Sequence, residues 1–287
     1  MVCKSQAVSV REQGYVIMIF VYGDESMDET CERVCAVAGV VGTEAEWQAI
    51  EPIWTERNAG IPFHAKDCES DQGDYKPANH CDNQNLYRDL TTIIARSSLS
   101  GYAIATNLIA ERAYYPDAPM IYLREFYGVI DAMRWWAKQN GEISECCFDN
   151  RLESKFNAEL MYANAREIDP NWNSYLSSKI SFESSQKNPR IQVADLFARE
   201  AMKNLDNRIG PLKRDPRKSW IVLRDTGRFA IDELDEDCFA AEKQEWDSRL
   251  NIDNGRFNQY LEWLRNTRRK HSLSNVIWFE TKNPRDG

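Results

Sequence analysis

The chain has 287 residues, 43% hydrophobic and 28% charged, enough apolar material for one large domain or two small ones. Its net charge of -9 excludes a protein coated in nucleic-acid-binding charge, though not a local basic surface. No apolar run approaches the ~18 residues that span a membrane. No apolar stretch precedes Arg11 and Glu12 to make a signal peptide, and the eight scattered cysteines form no disulfide framework, so a reduced, cytosolic protein is expected.

Residues 15–22, YVIMIFVY, form a continuous apolar run that reads as a strand covered on both faces; Gly23 then lets it break off into Asp24, Glu25 and Ser26. Two readings of that ending are open. Acidic residues often begin a solvated turn, or a strand presents carboxylates to a site. A second apolar strand over 33–42 ends at Gly42. Thr43 then caps a helix, with Glu46 at the capping-box position. From Gly60 to Cys81 the chain is too rich in Asp, Gly, Pro and Asn for regular structure.

A helix is expected at 82–97, a strand at 101–109 and a strongly periodic helix at 119–139. The strand at 142–150 again ends on a carboxylate, Asp149, and a helix over 151–168 leads to a short strand at 179–184. Pro189 opens a helix that runs to about Leu205. The two first strands are hairpin-like and the later ones alternate with helices, so the expected class is α/β, a mixed sheet flanked by helices. Residues 1–205 make the main domain, with inserted loop and helices at about 43–98, and residues 206–219 are the expected boundary. Residues 206–287 read as a C-terminal extension packed on that domain, carrying one strand-like piece, WIVLRD (220–225), and a mixed helical stretch with Trp246, Tyr260 and Trp263. Residues 208–228 hold seven Lys or Arg against two Asp, and 265–270 add four more without an acid. These clusters fit phosphate contact or an ordinary solvated face.

Asp195 is the sharpest anomaly, because IQVADLF surrounds it with Ile191, Val193, Ala194, Leu196 and Phe197. A buried carboxylate needs a donor, a cation or a metal, and Arg190 and Arg199 are the nearby candidates for pairing. Alternatively Asp24, Asp149 and Asp195 meet at one end of the sheet, where open α/β sheets hold ligands. Such a set suits a hard divalent cation, Mg2+ or Mn2+, and two such ions can clamp both oxygens of a phosphoryl displacement.

VYGDES, FHAKD, CFDNR and IQVADLFARE, in this order and at these separations over about residues 16–203, resemble the bacterial domain of unknown function 3800, a family of the RNase H-like superfamily. The resemblance implies an RNase H-like fold with helical insertions and a carboxylate cluster binding Mg2+ or Mn2+. It gives Asp24, Asp149 and Asp195 the metal-binding roles. Glu25 would be a fourth carboxylate that points to the opposite side if the chain is still extended there. It also implies that His64 and Lys66 face the cluster, His64 to orient or protonate a leaving group and Lys66 to neutralise phosphate. Phage defence or mobile-element biology is the setting it suggests.

Other sites compete. His64, Cys68, His80 and Cys81 would make a zinc site with awkward adjacent ligands and no C-x-x-C pair. The run DCESDQGD resembles a calcium loop only loosely. Ser26 lacks a nucleophile elbow, Cys146 and Cys147 read as small core residues, and no Gly-rich nucleotide motif occurs. Tyr122, Phe126, Trp135 and Trp136 read as helix core, with base stacking as the alternative. The expected function is metal-dependent phosphodiester cleavage on DNA or RNA. The alternative is a non-catalytic module that binds nucleic acid, a protein partner or a second copy of itself.

Overall fold

The computed structural model describes residues 18–30, 32–76, 82–116, 121–150 and 152–249. The chain divides into two compact units, 1–239 and 240–287; the described residues of the second, 240–249, are helical. The first unit is α/β, built on a six-stranded mixed sheet. Its strands are β1 (Met18–Met27), β2 (Val34–Thr43), β3 (Ser100–Asn107), β4 (Ile143–Asp149), β5 (Ser181–Glu183) and β6 (Phe229–Leu234). The spatial order is β5-β4-β1-β2-β3-β6, with β2 antiparallel to β1 and β3 and the remaining pairs parallel.

β2 is buried along almost its whole length, and β1 is buried at Ile19, Val21 and Gly23–Ser26 with Phe20 and Tyr22 partly covered, as central strands between two helix layers are. One face carries Phe20, Tyr22, Ala36, Ala38 and Val40. Against it pack α1 (Glu44–Arg57), α2 (Ala65–Ser70), α3 (Asn83–Arg96), α8 (Pro189–Ile209) and α9 (Lys218–Arg224). The other face carries Ile19, Val21, Val37 and Val41 under α5 (Ile121–Asn140), α6 (Leu152–Ile168) and α7 (Pro170–Tyr175). The short α4 (Leu108–Tyr114) follows β3 directly, and α10 covers Glu236–Arg249.

The expected capping box is present: Thr43 Oγ1 accepts from the Glu46 N–H, and Glu46 accepts from the Thr43 N–H. Four expectations need correction. β1 does not stop at Gly23 but runs to Met27, so Asp24 and Glu25 lie inside a paired strand. The stretch 60–81 contains α2 and a 3-10 turn at Gly73–Tyr75, held by buried Phe63, Cys68 and Tyr75 despite its polar composition. WIVLRD is not a strand: Trp220 and Leu223 are buried three residues apart while Val222 is exposed, which is a helical face. Nor does the domain stop near residue 205. α8 runs through that point to Ile209, and β6 extends the sheet beside β3. Among the described residues no helix is long and apolar enough to cross a membrane.

Candidate active site

β1 and β4 are parallel neighbours whose last paired residues are Gly23 and Phe148. One step further along both strands come Asp24, still paired with β2, and Asp149, the last residue of β4. Gly23 makes this approach possible, since a Cβ there would stand 2.2 Å from the Phe148 ring. Asp24 continues the side of β1 that carries Phe20 and Tyr22, the side on which α8 lies.

α8 is buried on nearly every side from Ile191 to Met202, and Asp195 sits at its centre with only 4% exposure. The helix is fixed at its start by Arg190. That guanidinium pairs with Glu44 and Glu51 of α1, donates to the Tyr22 hydroxyl at 2.9 Å and lies 5.2 Å over the Tyr22 ring. Arg190 is therefore occupied elsewhere and does not pair with Asp195. Arg199 donates through Nε to Glu69 at 2.7 Å.

What Asp195 does receive is a backbone hydrogen bond: Ala65 N–H donates to its Oδ2 at 2.7 Å. Phe63, buried among Trp54, Tyr75 and Tyr87 at ring separations of 5.5 to 6.1 Å, anchors the chain so that Ala65 arrives there. Asp149 Oδ1 accepts from Ser185 N–H at 2.8 Å, and Asp24 Oδ1 accepts from Glu25 N–H at 2.7 Å. Each aspartate is thus held by one backbone N–H, and the second oxygen of each has no hydrogen bond among the described residues.

Asp24 and Asp195 sense the neighbouring carboxylates. Burial, then the facing charges of Asp195, Glu25 and Asp149, push the Asp24 carboxyl well above the ordinary aspartate range. Burial also raises Asp195, an effect opposed by His64, the Ala65 N–H and Arg199 and reinforced by Asp149. Glu25 is 4% exposed and lies on the opposite side of β1, as strand alternation requires, so it acts on Asp24 across the strand.

His64 is exposed and sits at the N-cap of α2, close enough to Asp195 to favour its charged form. Its Nδ1 lies 3.1 Å from Asp67 Oδ2. Lys66 is half-buried on α2, and its amine makes no hydrogen bond or ion pair among the described residues. The structure thus brings Asp24, Asp149, Asp195 and His64 into one electrostatic group, leaves Glu25 behind the strand and gives Lys66 no direct contact with the aspartates.

Two positioning residues were missed in the sequence. Gln192 accepts from Trp54 Nε1 at 3.0 Å and donates to Ser185 O at 2.7 Å, which fixes the turn whose N–H holds Asp149. A glutamine inside an apolar helix run was the available signal. Asp67, the orienting partner of His64, gave none beyond its place in FHAKD.

Of the zinc candidates, Cys68 is buried, its Sγ donates to Asn83 O and burial pushes its thiol up to about 12, while His80 and Cys81 lie outside the described residues. Among the described residues no group of three or more His, Cys, Asp or Glu is arranged to hold a metal ion. The donor chemistry nevertheless suits Mg2+ or Mn2+, which use one or two carboxylates and take remaining ligands from water and substrate phosphate. Asp24 and Asp195 offer such a pair, each with one oxygen open, and Asp149 offers a third from the neighbouring strand. No family model matches the chain, and no curated protein matches it.

Proposed function

We propose that this protein cleaves phosphodiester bonds of nucleic acid with Mg2+ or Mn2+ bound by Asp24, Asp149 and Asp195, on an RNase H-like domain of the domain of unknown function 3800 type. The observation that carries the reading is that the Asp24 carboxyl of β1 feels the charges of Asp149 of β4 and Asp195 of α8, and that each of the three is held by one backbone N–H with no hydrogen bond to its second oxygen among the described residues. The strand order β3-β2-β1-β4-β5, with β2 alone reversed, also supports the fold reading, β6 being an added edge. Buried carboxylates that repel one another disfavour folding, so their assembly calls for a compensating cation.

When bound, a divalent cation neutralises the phosphate and lowers the pKa of attacking water. The chain's own part is to present the oxygens of the three aspartates without reorganisation, which the Ala65, Ser185 and Glu25 N–H groups secure. Asp67 holds the Nδ1 side of His64, which leaves Nε2 for the leaving oxygen. Lys66 contributes positive charge on the same loop. Glu25 stays behind the strand and tunes Asp24.

Asp195→Asn removes a charge but keeps the acceptor for Ala65 N–H. It should lower cleavage of a labelled oligonucleotide in Mg2+ or Mn2+ by at least ~100-fold, with the thermal unfolding midpoint unchanged or raised. Chelation should abolish wild-type cleavage. A variant that cleaves at the wild-type rate would sink the assignment. Binding of the oligonucleotide without turnover in any metal would make this a non-catalytic module.

A further inference from the structure

Beyond the aspartates, α8 continues with a basic face. Asp195, Arg199 and Lys203 are spaced four residues apart, so they share one side of the helix, with Arg199 about 6 Å and Lys203 about 12 Å along its axis from Asp195. That side borders a pocket of about 170 Å3 lined by Arg33, Arg199, Lys203 and Asp206 and by the turn at 28–30.

Of the three acids that line this pocket, Asp28 and Asp206 are already engaged and Glu29 is exposed. Asp28 accepts from Arg33 N–H, Val34 N–H and the Thr30 hydroxyl, closing the β1–β2 turn. Asp206 Oδ1 takes both Nε and Nη2 of Arg33 at 2.7 Å. The two α8 cations are less fully used. Arg199 spends Nε on Glu69, and its Nη1 and Nη2 make no hydrogen bond among the described residues. Lys203 Nζ stands 3.8 Å from Asp206 Oδ2, beyond hydrogen-bond length, and has no closer partner among the described residues.

These donors are also held in place. The Arg199 side chain is 7% exposed and that of Lys203 23%. Burial, then the neighbouring Arg199 charge, lower the Lys203 amine against the opposing charges of Glu69 and Asp206. A guanidinium fork and an ammonium facing one concavity match the oxygens of a phosphate.

We propose that this pocket is a subsite for a second backbone phosphate of the substrate strand, held by Arg199 and Lys203 while the aspartates act on the scissile one. It rests on the phosphodiester reading above and adds to it a direction: the strand runs along α8 from Asp195 towards Lys203. It also reconciles an acidic chain with a polyanionic substrate, since the attraction is concentrated beside the site.

The test is fluorescence anisotropy of a labelled single-stranded 12-mer in an Asp195→Asn background, comparing Lys203→Met with Lys138→Met, an exposed lysine of α5 on the opposite face. Methionine keeps the alkyl stem of Lys203, and thermal unfolding checks the fold. Lys203→Met should weaken binding five- to tenfold and reduce the slope of log affinity against log salt by about 0.7, the loss of one single-strand phosphate contact, while Lys138→Met changes neither. Equal weakening by both variants, or by neither, would overturn the subsite. Hydrolysis of bis(p-nitrophenyl) phosphate by the wild type, a substrate with a single phosphate, tests the carboxylate reading alone. Turnover there together with unimpaired 12-mer binding by Lys203→Met would overturn the subsite and leave the enzyme. No turnover and no 12-mer binding by the parent would overturn both.

Discussion

Asp24 and Asp195 lie in a buried setting that penalises their charges, and a third acid shares this condition away from the site. Glu125 on α5 is fully buried; one carboxylate oxygen accepts from the Thr106 hydroxyl at 2.6 Å while the other has no hydrogen bond among the described residues. Burial, then the charge of Glu111, raises its pKa to about 8. A folded-state pKa above the unfolded value means that the folded protein holds a proton the unfolded chain has released. The stabilising contribution is fully present below the unfolded glutamate value of about 4.3 and is lost as pH rises to about 8. Glu125→Gln keeps the acceptor for Thr106 and should flatten that decline, by at most ~1.4 kcal/mol per pH unit in urea unfolding. An unchanged pH slope in the variant would contradict the buried, protonated Glu125.

At the scale of elements, what was legible in the sequence depended on whether a segment buries one continuous pattern. The β1 and β2 runs, the capping box at Thr43 and the periodic α5 were readable because local signal and final burial agree. WIVLR deceives because four adjacent apolar residues look like a strand, yet only Trp220 and Leu223 are buried. β6 went unnoticed because FAIDEL alternates buried Phe229 with exposed Ala230 and Asp232, the weak pattern of an edge strand. The aspartates of the site were visible as acids in apolar surroundings. The N–H groups that hold them were not, since a backbone donor has no residue type to read.

Gly23 ties element to site, because Phe148 of β4 occupies the space a side chain would take. Gly23→Ala should therefore cost ~1–3 kcal/mol of stability and separate Asp24 from Asp149. Unfolding in urea and metal-dependent activity should fall together. A variant as stable as the wild type would refute this packing.

For the molecule as a whole, the sheet is the frame that brings distant segments to one edge, and it extends past the expected boundary. Phe229 on β6 is 4% exposed, lies 5.1 Å from Phe197 of α8 and would meet a Cβ at Gly101. The residues after 206 thus support the helix that carries Asp195. Phe229→Ala should destabilise the first unit by ~3 kcal/mol, measured by urea unfolding, as truncation of a buried aromatic does. A loss under ~1 kcal/mol would show that β6 is dispensable to the core. In a chain of net charge -9, Asp24, Asp149 and Asp195 are gathered near this edge, and Arg199 and Lys203 follow Asp195 on α8.

The central claim is that Asp24, Asp149 and Asp195 form a divalent-cation site, and calorimetric titration of Mn2+ into the wild type and Asp149→Ala tests it most directly. Saturable binding by the wild type, lost or weakened at least ~10-fold without the Asp149 carboxylate, is the predicted result. Binding of equal strength by the two proteins, or none by the wild type at millimolar Mn2+, would contradict it.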